Sequence, residues 1–284
     1  MTIRAGEVSV VVPTFDRASV LPRALDSVIE QTRLPAEVIV VDDGSTDATA
    51  ELVESRFPGV RLLRQENLGV SAARNRGIEA STGEWIALLD SDDEWQPRKL
   101  ERQVAALGDQ PDMRVCHTDE IWIRHGRRVN PRHIHAKHGG WIFEHCLPLC
   151  AMSPSSILIH RSVFEAVGIF DEDLPACEDY DLWLRICSRY PVLYLGEPLV
   201  VKYGGHEDQL SRQVWGLDRF RIRALEKVLE AGHLGPPEWQ AAAATLLQKI
   251  EVYLAGVRKR GRLEEAAEYE RRFEHWRVEL DRVG

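Results

Sequence analysis

The segment VIVVDDGSTDAT, residues 38–49, passes from a short apolar run into an acidic turn and then toward a helical pattern. Residues 38–41 are β-branched and apolar, which predicts a buried strand. The following DDGSTD is rich in turn-forming residues, and a helix is expected from about Thr46. Strand, turn and helix in this order form the unit from which parallel sheets are built.

The same order repeats on both sides of this segment. Further strands are predicted at residues 8–12, 60–63 and 85–89, with further helices at about 20–29 and, after residues 67–69, through residues 72–78. Four short, almost wholly apolar strands that alternate with helices imply a parallel sheet covered on both faces. Such sheets bind ligands at the carboxyl ends of their strands.

Regularity weakens in the middle of the chain. Pro97 is expected to open another helix, after which residues 117–156 lose a regular period and are predicted to be loop-like. One more strand is expected at 157–159, a helix at 178–188 and an irregular strand at 194–203.

The last part of the chain has a helical character. Segments 217–229, 239–257 and 263–280 carry apolar residues at helical spacing. We therefore expect a domain of residues 1–212 followed by a C-terminal helical extension of residues 213–284. The extension could pack on the body of the domain or mediate a homo-oligomer. Its basic cluster at residues 258–262 could remain solvated or meet anionic lipid.

Bulk properties exclude several protein classes. The 284 residues carry a formal net charge of -9, which argues against a nucleic-acid binder. No apolar stretch has the length of a signal peptide or of a membrane span. We expect a cytoplasmic protein, with any membrane contact peripheral at the inner membrane face. Five cysteines without an export signal predict free thiols.

Acidic residues follow two of the predicted parallel strands. Asp42 and Asp43 end one strand, and Asp90, Asp92 and Asp93 end another. One such group would be read as turn residues or helix caps. Two groups on one sheet edge need a compensating positive charge, and hard oxygen ligands suit Mg²⁺ or Mn²⁺. A cation that carries a diphosphate is therefore expected at this edge.

The turn after the first strand narrows the choice of diphosphate compound. Its sequence, PTFDR at residues 13–17, contains no glycine, so it matches neither the dinucleotide-binding fingerprint nor the P-loop. Phosphates must then be held by the metal and by side chains. Asp43 is suited to accept a hydrogen bond from a base or a ribose hydroxyl, and Arg74 could reach a phosphate or the base.

Five motifs together carry a family resemblance. In chain order they are VSVVVPTFDRASVLPRALDSVIEQT, VIVVDDGSTDAT, NLGVSAARNRGI, GEWIALLDSDD and CEDYDLWLRI. They resemble glycosyltransferase family 2, the inverting nucleotide-sugar transferases of GT-A fold, over about residues 7–212. The resemblance implies a GT-A-like (Rossmann-like) α/β domain with a mostly parallel sheet flanked by helices. It also implies a nucleoside-diphosphate sugar donor, with a UDP-sugar favoured, and a glycan or lipid-linked acceptor.

The resemblance also assigns residues of the donor site. The implied nucleotide-sugar pocket consists of Pro13, Thr14, Asp43, Arg74, Asp90 and Ser91. Asp90-Ser91-Asp92 matches the family's D-x-D element, in which Asp92 would bind Mg²⁺ or Mn²⁺ directly and Asp90 would lie nearer the ribose. Asp93 and His206 are further candidate metal ligands.

Glu178 and Asp179 match the family's acidic pair before an apolar helix. The resemblance makes Asp179 the general base and Glu178 the residue that orients the acceptor. A base is needed because an acceptor hydroxyl is a poor nucleophile until its proton can leave. The alternative is that Asp179 only caps the helix.

One further segment and two further functions stay open. Possible zinc ligands are His133, His135, His138, His145, Cys146 and Cys150, whose spacing fits no familiar zinc module. We expect this segment instead to line the acceptor side, with Trp141 and Phe143. The alternative functions are a non-catalytic sugar-nucleotide or glycan-binding module of the same fold and a nucleotidyltransferase. The latter would favour a glycine-rich, basic first turn, which PTFDR is not.

Overall fold

Residues 7–205 and 214–283 of this computed structural model are described, and they build one sheet with helices around it. The strands are Val8–Thr14 (β1), Glu37–Asp42 (β2), Arg61–Arg64 (β3), Trp85–Leu88 (β4), Glu94–Trp95 (β5), Val115–Arg124 (β6), Arg127–Val129 (β7), Leu158–His160 (β8) and Leu193–Gly204 (β9). The helices are Leu21–Ile29 (α1), Thr49–Arg56 (α2), Val70–Ala80 (α3), Lys99–Asp109 (α4), Phe143–Cys146 (α5), Arg161–Val167 (α6), Glu178–Cys187 (α7), Asp218–Glu230 (α8), Pro236–Lys259 (α9) and Leu263–Val283 (α10).

The strand order in the sheet is β3-β2-β1-β4-β8-β6-β9-β5, and β7 pairs with β6 outside this path. The first four strands in this order are parallel. Beyond β4 the sheet is mixed, because β8 is antiparallel to both neighbours and β9 is parallel to β6. The predicted α/β class is therefore confirmed, with a parallel N-terminal half.

Both faces of β1, β2 and β4 are buried, whereas the edge strand β3 is partly exposed. On β1, Val10 and Val12 join an apolar cluster with residues of α1 and α4, whereas Val11 joins Ile78 of α3 on the opposite face. This two-sided burial explains why the strand has no polar alternation. A Cβ on Gly77 would lie 2.2 Å from Val11 Cγ1, so α3 packs at this distance only because residue 77 is glycine.

The prediction of a loop for residues 117–156 is wrong. The segment begins inside β6, which runs for ten residues between β8 and β9, and β7 folds back on it as a hairpin. Periodicity missed β6 because it buries the polar residues His117, Thr118 and Glu120. Hydrogen bonds in the folded protein satisfy such groups, and a local hydrophobic pattern does not reveal them.

The C-terminal helices share an apolar core with the body of the protein. Leu225 of α8, Leu246 of α9 and Trp276 of α10 belong to one buried cluster with Phe143 and Trp183. Their apolar stripes are thus buried within this chain, while the homo-oligomer and the division at residue 212 stay predictions. Among the described residues, no helix has the length and apolar character needed to cross a membrane.

Candidate active site

The carboxyl ends of β1, β2 and β4 form the edge where the sequence placed its acidic groups. β1 lies between the other two strands, with Thr14 opposite Asp42 and Val11 opposite Leu88. The backbone N–H of Asp43 donates to the carbonyl oxygen of Thr14 at 2.9 Å. We call Asp90, Asp92 and Asp93, which follow β4, the acidic rim.

The glycine-free turn after β1 is held by reciprocal hydrogen bonds. Asp16 adopts a left-handed backbone conformation with a φ of 50°, which Asp tolerates better than most residues. Its Oδ1 accepts from the N–H groups of Thr46 (2.7 Å) and Asp47 (3.2 Å), and its own N–H donates to Ser45 Oγ at 2.8 Å. The first two turns therefore form one unit at the edge of the sheet.

Three residues of the predicted nucleotide pocket lie at this edge. Pro13 and Thr14 are buried at the end of β1, and Thr14 Oγ1 has no hydrogen-bond partner among the described residues. Asp43 accepts three hydrogen bonds, from Gln65 Nε2 (2.7 Å), Leu68 N (2.9 Å) and Gly69 N (2.8 Å). Asp43 therefore holds the loop that leads into α3, and its contact with a nucleoside stays a prediction.

Arg74 connects the acidic rim to the start of α7. Its Nη2 lies 2.7 Å from Asp90 Oδ1, and its Nη1 lies 2.6 Å from Glu178 Oε1. Arg74 and Glu178 are both buried. Burial by itself would lower the pKa of Arg74, but the carboxylates of Asp90 and Glu178 raise it above its ordinary value. Arg74 was expected to reach a phosphate or base, whereas here it pairs with two candidate site residues.

Asp93 lies behind the other two rim residues. Its Oδ2 accepts from Ser155 Oγ at 2.6 Å and its Oδ1 accepts from the N–H of Tyr203 at 3.1 Å. Burial, and then the nearby charges of Asp92 and Asp90, raise its pKa well above the usual range, although Lys202 opposes this shift. Since both oxygens are bonded within the protein, Asp93 is poorly arranged to share a metal in this conformation.

A buried acidic residue that sequence reasoning missed lies next to the rim: Glu120 forms an ion pair with Lys137 at 3.4 Å. Burial would raise the pKa of Glu120 on β6, but the charges of Lys137 and Lys202 and hydrogen bonds from Ser153 and Trp122 lower it to about 2. Burial likewise opposes the charge of Lys202 on β9, yet Glu120, Asp93 and Asp90 raise its pKa. Lys202 is thus a second internal cation beside the rim. A lysine within the apolar run LVVKY, residues 199–203, is the signal that could have revealed it.

Asp179, the predicted general base, is half-buried in the first turn of α7. Its Oδ1 accepts from the N–H of Tyr180 at 2.7 Å, and its Oδ2 accepts from the thiol of Cys150 at 3.0 Å. Burial and then Asp179 raise the pKa of Cys150 well above the usual range, so this thiol remains a donor at neutral pH. The N-cap position belongs to Cys177, with a left-handed φ of 61°, so Asp179 lies inside the first turn, and its role as general base stays a prediction.

Two rim residues are suited to a divalent cation. The carboxylate of Asp90 and that of Asp92 are half-buried at the edge, and Ser91 between them is buried. The described residues contain no group of three or more His, Cys, Asp or Glu side chains that could hold a metal. The rim therefore fits only a cation that keeps water and donor phosphate oxygens as ligands, as Mg²⁺ commonly does. His206, the other candidate ligand, lies outside the described residues.

The His- and Cys-rich segment forms no zinc cage in the described residues. The rings of His138 and His145 stack at 4.0 Å between centroids, while Cys146 is buried in the core. All five cysteines are free, as expected. Trp141 is 69% exposed and available to a ligand, but Phe143 is buried in the core, so the expectation that Phe143 lines the acceptor side is wrong.

Comparisons with known proteins agree with this arrangement. Residues 9–168 match the family described as glycosyl transferase family 2, and residues 137–227 match glycosyltransferase like family 2. An uncharacterized glycosyltransferase of Rickettsia felis is 32% identical over 216 residues, which cover 73% of this chain and 35% of the relative. A second, from Nostoc sp., is 36% identical over 203 residues, covering 67% of this chain and 61% of the relative. The chain thus spans about a third of the length of the Rickettsia felis relative.

Solved structures share the fold. The crystal structure of Staphylococcus aureus TarS 1–349 in complex with UDP-GlcNAc superposes with a TM-score of 0.67 at 17% identity, covering 96% of this chain and 92% of that chain. TarS 1–349 with UDP gives a TM-score of 0.60 at 18% identity, covering 96% and 91%. At this level of identity the likeness concerns the fold alone, and it confirms the predicted GT-A fold.

Proposed function

The chain belongs to glycosyl transferase family 2, and on this premise we propose that it moves a sugar from a nucleoside-diphosphate donor to an acceptor hydroxyl with inversion. The acceptor would be a glycan or a lipid-linked precursor in the synthesis of cell-surface polysaccharide or glycolipid. A UDP-sugar is the favoured donor, in line with the UDP-GlcNAc and UDP that were crystallised with TarS.

One observation carries the proposal. Arg74 bonds both Asp90 of the acidic rim and Glu178, the neighbour of Asp179. The predicted donor-binding element and the predicted acceptor-activating element are therefore joined through a single buried side chain. A donor held at the rim and a hydroxyl beside Asp179 would meet in one site, which transfer between them requires.

The donor would be held by side chains at the edge of the sheet. Asp92, helped by Asp90, would bind Mg²⁺ or Mn²⁺, and His206 is a further candidate ligand. When bound, such a cation supplies positive charge where the leaving diphosphate gains negative charge. Thr14 Oγ1, unpartnered among the described residues, is suited to a hydrogen bond with the nucleoside, and Asp43 and Ser91 are the other candidates.

The acceptor would be activated by Asp179. Its carboxylate would take the proton of the acceptor hydroxyl while that oxygen forms a bond to the anomeric carbon. The bond from that carbon to the diphosphate oxygen breaks on the opposite face, which inverts the configuration. The Cys150 thiol would position the carboxylate, and Glu178, held by Arg74, would orient the acceptor. A positioned base typically contributes 10²- to 10⁴-fold.

The test is a panel of nucleotide sugars assayed for transfer with Mn²⁺, with Mg²⁺ and with a chelator. We expect Asp179→Asn to lower kcat by roughly 10²- to 10⁴-fold while UDP binding, measured by calorimetry, is unchanged. Asp92→Asn should weaken UDP binding in Mn²⁺ to the level seen with chelator. Asp112→Asn is the matched control, since Asp112 is an exposed carboxylate away from the rim.

Two results would contradict these roles. A wild-type kcat in Asp179→Asn would exclude Asp179 as the base. UDP binding that is unchanged both by the chelator and by Asp92→Asn would exclude a metal at the rim. Nucleotide-sugar binding with no turnover of any donor, hydrolysis included, would favour the non-catalytic binding module instead.

A further inference from the structure

A tryptophan that precedes α8, Trp215, is surrounded by arginines. The guanidinium carbons of Arg262, Arg260 and Arg219 lie 4.3, 4.5 and 5.8 Å from the ring centroid of Trp215. Arg219 lies in α8, and Arg260 and Arg262 lie in the turn that follows α9. Three cations around one indole, at distances where cation–π attraction operates, form a local cluster built from two chain segments.

Exposed apolar side chains adjoin this cluster. Trp215 is 38% exposed, and Val252 and Leu263 are among the most exposed large apolar residues of the described chain. Val252 lines the same surface cavity as Trp215 and Arg260, and Leu263 follows Arg262 at the start of α10. We call Trp215, Val252, Leu263, Arg219, Arg260 and Arg262 the tryptophan–arginine patch.

The patch carries a surplus of positive charge although the chain as a whole is acidic. Arg262 pairs with Glu265 at 3.3 Å. By contrast, no carboxylate of the described residues lies within ion-pair distance of Arg219, Arg260 or the adjacent Lys259. With a net charge of -9 for the whole protein, this local surplus would draw the patch toward an anionic surface.

We propose that the tryptophan–arginine patch docks on a membrane surface that contains anionic phospholipid. Cations near such a surface are attracted to its headgroups, an exposed tryptophan favours the interface between water and lipid, and single apolar side chains enter the acyl boundary. This docking does not require the proposed transfer reaction, so each can fail without the other.

The patch also lies close to the candidate active site. Leu217, two residues after Trp215, contacts the start of α7. Its carbonyl oxygen accepts from the Cys177 thiol at 3.8 Å. Cys177 stands two residues before Asp179 in the chain. The patch is therefore linked through Leu217 to the start of α7, which carries Asp179.

The experiment is co-sedimentation of the full chain with vesicles of phosphatidylcholine alone or with about 30% phosphatidylglycerol, without donor or acceptor. We expect binding only to the anionic vesicles, and weaker binding at 0.5 M than at 0.1 M NaCl, because salt screens surface charge. Arg219→Gln/Arg260→Gln should reduce the partition coefficient roughly 25-fold, about fivefold for each cation.

The matched control removes two cations elsewhere. Arg127 and Arg128 are exposed on β7, and Arg127→Gln/Arg128→Gln changes the net charge by the same amount. This control should bind anionic vesicles within about twofold of the wild type. Thermal unfolding of both double variants checks that they fold, and Trp215→Ser should weaken binding even at 0.5 M NaCl because its contribution is largely apolar.

Three outcomes would overturn the proposal. They are no binding to either vesicle, equal binding to neutral and anionic vesicles, and an equal loss of binding in the control double variant. If the patch variants instead change the sedimentation coefficient of the free protein, the patch is a contact between two copies of the chain and the lipid proposal is wrong.

Discussion

Replacing Arg74 by methionine should destabilise the protein strongly. The side chain is buried, and its two terminal nitrogens lie 2.7 and 2.6 Å from carboxylate oxygens of Asp90 and Glu178. Methionine retains much of the apolar volume but removes the charge and the donors. Two carboxylates would then face each other without the cation that neutralises them.

The expected loss in free energy of unfolding follows from how deeply Arg74, Asp90 and Glu178 are buried. Removing one partner of a buried ion pair costs about 3–5 kcal/mol. Asp90 is 24% exposed and can turn toward water, whereas Glu178 is buried, so we expect the lower end, about 3 kcal/mol. For a chain of this size the melting temperature should fall by roughly 6–12 °C.

The loss should also depend on pH. Burial raises the pKa of Glu178 above its ordinary value, and Arg74 opposes that shift. Without Arg74 the folded-state pKa of Glu178 rises further. A carboxyl group with a raised folded-state pKa leaves the protein stable at low pH, and that stability is lost as pH rises through the folded-state pKa. The deficit of Arg74→Met relative to wild type should therefore be smaller at pH 5 than at pH 8.

The assay is urea and thermal unfolding followed by circular dichroism at both pH values. Arg56→Met is the control, because Arg56 pairs with Asp26 at the surface and is 52% exposed. It should change stability by less than about 1 kcal/mol. Arg74→Met/Glu178→Gln should recover part of the loss. The reasoning would be refuted if Arg74→Met lost no more free energy of unfolding than the control. It would also be refuted if the loss were the same at pH 5 and pH 8.

Three further predictions concern other contacts. Gly77→Ala should lower the free energy of unfolding by about 1–3 kcal/mol, since the new Cβ would meet a β1 side chain at 2.2 Å. Urea unfolding measures this loss, and Gly59→Ala is the control because the space around residue 59 is open. Glu120→Gln should cost about 3 kcal/mol at pH 7, because Lys137 would lose its buried ion-pair partner. The folded-state pKa of Glu120 is about 2, so that cost should shrink as pH falls below the ordinary pKa of a glutamate. Unfolding measured at pH 4 and at pH 7 tests this. Cys150 should react with iodoacetamide at pH 8 at least about tenfold more slowly than free cysteine, as peptide mass spectrometry would measure; reaction at the free rate would contradict the raised pKa.

Sequence by itself determined the alternation of strands and helices, the acidic edge of the sheet and the helical C-terminal region. These features are local. A buried parallel strand needs an unbroken apolar run, as at residues 38–41, and a turn needs residues such as those in DDGSTD. The acidic groups after β2 and β4 could be assigned to one edge because parallel strands end on the same side.

Only the tertiary structure decided which charges meet. Arg74 pairs with Asp90 and Glu178, and Lys202 approaches Glu120 from a neighbouring strand. These partners are distant in sequence, so no local pattern predicts them. The strand β6 was missed for the same reason, since its buried polar groups are tolerated only where partners from other elements satisfy them. Periodicity records which side chains avoid water, whereas the identity of a buried polar partner depends on how the elements pack.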